Sequence, residues 1–407
     1  MSSRLFSTLA LGFFVALWGA NVADAAAKGG KGGKKPPEKK EPKEGEGDAG
    51  GDGGGDGGGD AGGDAGGDAG GGGDDGGGGG GKGGGHGAAD GFGKNAKGAG
   101  GGGKSVSGSG IAAAMKGGGS INIQKGDYDL PYEACIIKGN STVDGGGATL
   151  YFPGSNHNGK GLSIYGTNVV IRNLRIRNSG DNLGFGSSSF KGTKDVLVEN
   201  VSCTGSGDDN FSVAYDCSNI TIRWCLAAGG NRNVFYKYGG ANLTIHHSIL
   251  TRAWIRNPLN SGSTATIDFR NNVVSNWKMW GTRVESGAKG NFVNNTWILE
   301  SWAPGKKDSA LYSQGGTFHS AGNVFIGCSK DSGGASSPVV QAPGINGQTD
   351  AKTAQAAVES DTNGAGCMPR DAIDKAYLTI KETAPGGDGA AGLVVPAAQR
   401  GGAKGKK

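Results

Sequence analysis

The feature that most constrains this chain is a period. Six short strings, VVIRNLRI, VLVENVS, ITIRWCL, LTIHHSI, IDFRNNVV and NFVNNTW, each break at one residue: Asn173, Asn200, Trp224, His247, Asn271 and Asn294. The steps between these residues are 27, 24, 23, 24 and 23. A repeat of that size, in which each unit is a strand, a turn and a strand, predicts a parallel solenoid. Apolar residues alternate ahead of the break, as in Val196 and Val198, Ile220 and Ile222, Leu243 and Ile245, and Ile267 and Phe269. One face of each strand therefore points inward. A single coil cannot bury that face, whereas stacked coils share a core and pair each backbone group with the coils above and below. Asparagine tolerates the left-handed backbone of a tight turn, and stacked amides can hydrogen-bond along a column. The break residues are accordingly read as structural.

The period occupies only part of the 407 residues, and the 87 glycines make the average composition misleading. Residues 1–25 carry Arg4, an apolar run from Leu9 to Trp18 and the small-x-small string Ala23-Asp24-Ala25. That is the pattern of a cleaved signal peptide, and the run falls short of the ~20 apolar residues a bilayer span needs. No later segment supplies a span, so export is expected, to the extracellular or periplasmic side. Residues 26–104 pair a Lys/Pro/Glu block with Asp-Gly repeats and hold almost no large apolar side chains. Such a stretch cannot offset the ~1–2 kcal/mol per residue of ordering entropy, and it reads as a disordered tether. Its Gly-Gly-Asp spacing lacks the apolar residue that calcium-binding nonapeptide repeats require. The charged blocks suit contact with a charged envelope, or simple solvation as a spacer.

Residues 105–382 have the composition of a folded domain, and residues 383–407 return to Gly, Ala and Lys as a loose tail. The string GIAAAMK, Gly110 to Lys116, predicts a helix that caps the open end of the solenoid, and Thr353 to Ile380 reads as a helix followed by a strand. The six cysteines show no CxxC spacing; their even number permits disulfides in an exported protein, while Cys225 sits mid-strand and suits a buried thiol. The net charge of +5 forms no basic patch with interleaved aromatics, which argues against a nucleic-acid partner. A monomer is expected.

Further strings go beyond architecture: GDDNFSV (Gly207 to Val213), ITIRWC, YKYGGANLTIHHSIL, IRNP, IDFRNNVVSNW, GNFVNNTW and GAGCMPRDAID. In this order they resemble the pectate lyase family of polysaccharide lyases, over about Ile121 to Ile380. The resemblance implies an all-β fold, a single-stranded right-handed parallel β-helix. It also implies cleavage of an acidic, uronate-containing polysaccharide such as pectate or pectin by β-elimination. In that chemistry a base removes the proton alpha to the uronate carboxylate, whose developing charge a cation must stabilise.

Residue by residue, the resemblance makes Arg256 the base. That role needs local positive charge, alkaline pH or some reorganisation, because guanidinium is normally protonated. It makes Asp181 and Asp208 ligands for Ca2+, with Asp209 as the alternative to Asp208; Ser212 stands where the family has a further carboxylate. Arg232 takes the place of a Lys that grips the substrate, with Lys237 further along. The family's R-x-P-R-x-R pattern is broken at Leu259 and Ser261, which removes two substrate-binding arginines. Among the tryptophans near Arg256, Trp254 and Trp280 are candidate sugar platforms, Trp277 is expected to pack, and Trp302 completes the group. His246 and His247 are read as packing or hydrogen-bonding residues. Two other readings stay open: a non-catalytic β-helix that binds polysaccharide, and a β-helical glycoside hydrolase using Asp208 and Asp209.

Overall fold

The computed structural model describes residues 86–131, 135–152, 159–300, 309–329 and 334–379. The expected signal peptide, residues 26–85 of the expected tether, Trp302 and the tail over 383–407 lie outside the described residues. Within them the chain winds as a parallel β-solenoid. One wall is an eight-stranded sheet with one strand per coil: β1 (Cys135–Lys138), β2 (Lys160–Tyr165), β3 (Asp181–Phe185), β4 (Asp209–Val213), β5 (Arg232–Tyr236), β6 (Leu259–Ser261), β7 (Thr282–Glu285) and β8 (Leu311–Gln314). The remaining strands form a second, 17-stranded sheet that bends around the rest of each coil.

The bend is where the period placed it. Asn173, Asn200, Trp224, His247, Asn271 and Asn294 all have φ between 49° and 55°. Ahead of it, Val196, Ile220, Leu243 and Ile267 stack in register, as do Val198, Ile222, Ile245 and Phe269. All eight are essentially inaccessible to solvent. The amide columns, however, run mostly one residue after the bend. Asn272 donates to Asn295 inside the core and Asn295 to half-buried Asn323, each at 3.1 Å. At the bend itself aromatic rings replace amides, with Trp224 stacked on His247 at 4.7 Å.

Helix α1 (Gly110–Gly117) buries Ile111 and Met115, part of one core cluster with Cys135 and Ile137 of β1, as a cap should. The C-terminal expectation of helix then strand is corrected: the chain makes two helices, α2 (Ala351–Glu359) and α3 (Ala372–Thr379). Buried Arg177 holds α3 through Asp374 at 2.7 Å and Asp371 at 2.9 Å. Asp371, just ahead of the helix, and Asp374 within it thus satisfy arginines on the sheet, a tertiary demand that outweighs local strand preference. No cysteine is joined to another among the described residues, so the disulfide option is not realised there. Among the described residues no helix is long and apolar enough to cross a membrane.

A second correction concerns the tether. Residues 86–99 of it are packed along the outer face of the long sheet. The Phe92 and Gly93 amides donate to Thr244 Oγ1 and Thr221 Oγ1 at 3.0 and 2.8 Å. A Cβ at Gly93 would lie 2.5 Å from the Val196 carbonyl. Here glycine serves close approach and the threonines supply the partners, so the lack of apolar side chains does not mean the lack of a docking surface.

Candidate active site

The site lies at the leading edge of the eight-stranded sheet. In register, Lys160 pairs with Asp181 and Asp209 with Arg232, while the Leu183–Phe211 pair aligns Asp181 with Asp209. The first residues of β2 to β5 therefore form one row, with coils spaced about 4.8 Å apart. What fixes that row from Asp181 onward is the asparagine after each. Asn182 donates to Asn210, Asn210 to Asn233 and Asn233 to Asn257, at 2.7, 2.8 and 2.6 Å, all buried. Each amide also anchors to a carbonyl of the neighbouring wall, at Thr204, Ala228 and Thr251. Asp181, Asp209, Arg232 and Arg256 each precede one rung of this ladder. The ladder's sequence steps of 28, 23 and 24 went unread in the sequence, where the family resemblance alone linked these four residues.

The row brings five expected site residues together. Carboxylate oxygens of Asp181, Asp208 and Asp209 all lie within 4.8 Å of one another. Arg256 donates to Asp209 at 2.9 and 3.2 Å and approaches Asp208 at 4.0 Å. Its guanidinium sits 4.5 Å from the centre of the Phe235 ring. Arg232 donates to Asp208. Burial pushes the Asp181 carboxyl up to about 6, with the negative charge of Asp208 adding to the rise and Lys160 and the Ser212 hydroxyl opposing it. Burial drives Asp209 well above the usual carboxylate range as well, although Arg256 pulls it back. Three carboxylates crowded in this way offer hard oxygen ligands and mutual repulsion, the combination that a divalent cation such as Ca2+ relieves. On that test the donor set fits, with Ser212 hydrogen-bonded at Asp181 rather than adding a fourth carboxylate.

The other expected residues divide. Trp254 is half-buried in the loop two residues before Arg256. Lys237 lies past the end of β5, five residues from Arg232, or roughly 16 Å along the strand; its Nζ is 5.5 Å from the Tyr238 ring centre. Trp280 is 7 % exposed and Arg283 covers its ring at 4.9 Å, so its role as an open platform is corrected: packing has taken that face. Trp277 is fully buried as expected. His246 and His247 are buried and hydrogen-bonded on the opposite wall.

Arg283 itself was missed. Away from the core, Ser212, Phe235, Leu259, Arg283 and Tyr312 form one in-register column across β4 to β8. Arg283 therefore stands one coil beyond Leu259, where the expected arginine is absent. It reaches the Tyr312 hydroxyl at 3.3 Å and pairs with Glu285. Its buried Nε has no partner among the described residues. No string around it marks it, since its neighbour is set by coil stacking.

A family model described as a right-handed β-helix region matches residues 102–274. The probable pectate lyase C of Aspergillus flavus is 27 % identical over 163 residues, 34 % of this chain and 36 % of that protein. Its counterpart in Emericella nidulans is 27 % identical over 189 residues, 44 % of this chain and 41 % of its own length. The chain thus spans about two fifths or less of the curated relatives it matches. Among solved structures, the cedar pollen allergen jun a 1 superposes with a TM-score of 0.52 at 15 % identity, over 65 % of this chain and 90 % of its own. A polygalacturonate lyase fused to a self-assembling amphipathic peptide does so with a TM-score of 0.53 at 14 % identity, over 70 % and 98 %. These two likenesses speak for the fold.

Proposed function

We propose, starting from a chain that is a pectate lyase-like right-handed β-helix protein, that it is exported and cleaves a uronate-containing polysaccharide by β-elimination. The observation that carries the reading is the meeting of Asp181, Asp208, Asp209, Arg232 and Arg256 in one partly exposed cluster, from four successive coils. Ca2+, when held by the three carboxylates, would supply the positive charge that stabilises the enolate-like transition state. The chain's own residues do the rest. Arg256, seated on Phe235, is the base. In the arrangement seen it donates to Asp209 and is protonated, so it must release a proton before it can accept one, which favours alkaline conditions. Arg232 grips a substrate carboxylate. Arg283 supplies a second cation one coil beyond Leu259, in place of the missing arginine, with Trp254 at the near rim and Lys237 farther along β5.

The same pairing of Arg256 with Asp209 favours a second reading, in which the face binds polysaccharide without cutting it. An assay separates them. Incubation with a panel of uronate polymers, with and without Ca2+, should raise ultraviolet absorbance through the unsaturated product. New reducing ends without absorbance point to hydrolysis, and binding without either product establishes the non-catalytic reading.

A further inference from the structure

On the opposite wall, the packed stretch of residues 86–99 ends in a buried charged cluster that the proposed reaction does not use. Asp90 is its hub. Its carboxylate accepts from Arg223 at 2.9 Å, His246 Nε2 at 3.0 Å and the Asn346 amide at 2.7 Å. Arg223 in turn donates to Glu199 at 2.6 Å and to the carbonyls of Ala88 and Gly87 at 2.9 and 3.0 Å. His86 stacks on Trp224 at 3.9 Å, and Trp224 on His247 at 4.7 Å. In the next coil Arg270 stands in register with His246 and pairs with Asp268 at 2.7 Å.

The hydrogen bonds assign the protons. The Gly347 carbonyl, 3.0 Å from His247 Nε2, can only accept, so that nitrogen carries hydrogen. His247 Nδ1 lies 2.8 Å from His246 Nδ1, and neutral His247 must accept there. His246 therefore donates from Nδ1 and also, to Asp90, from Nε2; it is the doubly protonated ring. The His86 Nε2 accepts from the Asn200 amide at 3.3 Å, which makes His86 neutral as well. Counted this way, the carboxylates of Asp90, Glu199 and Asp268 are matched one for one by Arg223, Arg270 and His246. Any further proton places unmatched positive charge in a buried site.

We propose that residues 86–99 form a latch that fastens the N-terminal extension to the β-helix at neutral pH and releases it on acidification. The titrating pair is His86 and His247. Burial, then the charge of Arg223 and of His246, holds His86 down at about 4. Burial and the charge of His246 hold His247 at about 4. Released, both return toward the ordinary histidine value near 6.5. The open form therefore binds more protons as pH falls from about 6.5 toward 4, and the latch weakens across that window. Asp90, held at about 2 against its burial by His246, Asn346 and Arg223, keeps its contribution until lower pH.

The test is amide hydrogen exchange on the full chain, corrected for intrinsic rates. Between pH 6 and 4.5, protection of the hydrogen-bonded amides of residues 91–99 should fall roughly a hundredfold, while the core strands Ser218–Arg223 and Ala241–His246 stay protected. The double variant His86→Phe, His247→Gln keeps the ring stacked on Trp224 at position 86 and a neutral donor and acceptor between His246 and the Gly347 carbonyl, giving up only the His247 ring and the Asn200 bond, and should remain latched at pH 4.5. Asp90→Asn should lose the protection already at pH 7. The proposal is overturned by flat protection in the unmodified protein, by loss in step with the core strands, by a double variant that opens as the parent does, or by an Asp90→Asn protein that stays latched at pH 7.

Discussion

Two walls of one solenoid each carry an aspartate at the centre of a charged cluster, and the two are shifted in opposite directions. Asp90, on the long-sheet side, is held at about 2 because three donors, His246, Asn346 and Arg223, converge on it. Asp209, on the eight-stranded sheet, is driven up: it is buried, faces Asp208 and Asp181, and has Arg256 as its main relief. The first cluster is matched in charge and covered by the chain's own residues 86–99. The second has more carboxylate than it has close cations, and Asp181, Asp208, Arg232 and Arg256 in it stay partly exposed. Sites that bind and react tend to keep such strain, whereas structural clusters discharge it internally. The contrast gives the active-site reading a physical basis beyond the family likeness.

The sharpest way to break the comparison is to remove the reacting group from the strained cluster alone. Arg256→Lys should lower turnover at least about a hundredfold, with the melting temperature nearly unchanged. A rate equal to the parent's on a polymer that the parent cleaves would take Arg256 out of the chemistry. The relaxed cluster should respond in the other currency. Asp90→Asn leaves Arg223 and His246 under-compensated in a buried site and should cost about 3 kcal/mol of stability at pH 7. Urea unfolding reads this directly, and a loss below about 0.5 kcal/mol would mean the cluster does not hold the fold. Because the Asp90 carboxyl is depressed, its contribution is present above the ordinary carboxylate value and is lost as pH falls toward 2.

How much of this was legible follows from what each feature depends on. The bend residues were legible because backbone conformation is local: all six repeat positions adopt the left-handed geometry, Trp224 and His247 included. Asp181, Asp208, Asp209, Arg232 and Arg256 were legible only through the resemblance to the pectate lyase family, carried over position by position. Arg283 was not, because its neighbour Leu259 is set by coil stacking and nothing in the local string reports it. Residues 86–99 were misjudged because their docking relies on threonine hydroxyls and on glycines that allow close approach, both of which composition counts as signs of disorder. Trp280 was misjudged because aromatic character says nothing of what covers the ring, here Arg283.

Arg283 offers a finer test of the open wall. If it substitutes for the cation missing at Leu259, Arg283→Ala should raise KM about tenfold and leave kcat close to the parent value, the signature of lost uniform binding. A fall in kcat with unchanged KM would place it nearer the chemistry. An unchanged KM and kcat would return it to the structural role suggested by Glu285 and Tyr312.

The smallest expected effect is also the one that opposes Asp90 in sign. The Asp181 carboxyl is raised to about 6, so the folded state holds its proton more tightly than the unfolded state does. Its contribution to stability is present below the ordinary carboxylate value near 4 and is lost as pH rises through about 6. At pH 7 the ionised Asp181 is therefore a net burden on the fold, and Asp181→Asn should stabilise the protein by about 1 kcal/mol, whereas Asp90→Asn destabilises it. Added Ca2+ should raise the melting temperature of the parent and do so less for Asp181→Asn, since a cation and the amide relieve the same repulsion. If Asp181→Asn instead lowers stability at pH 7, the carboxylate row is a structural cluster like that of Asp90, and the comparison between the two walls fails at its centre.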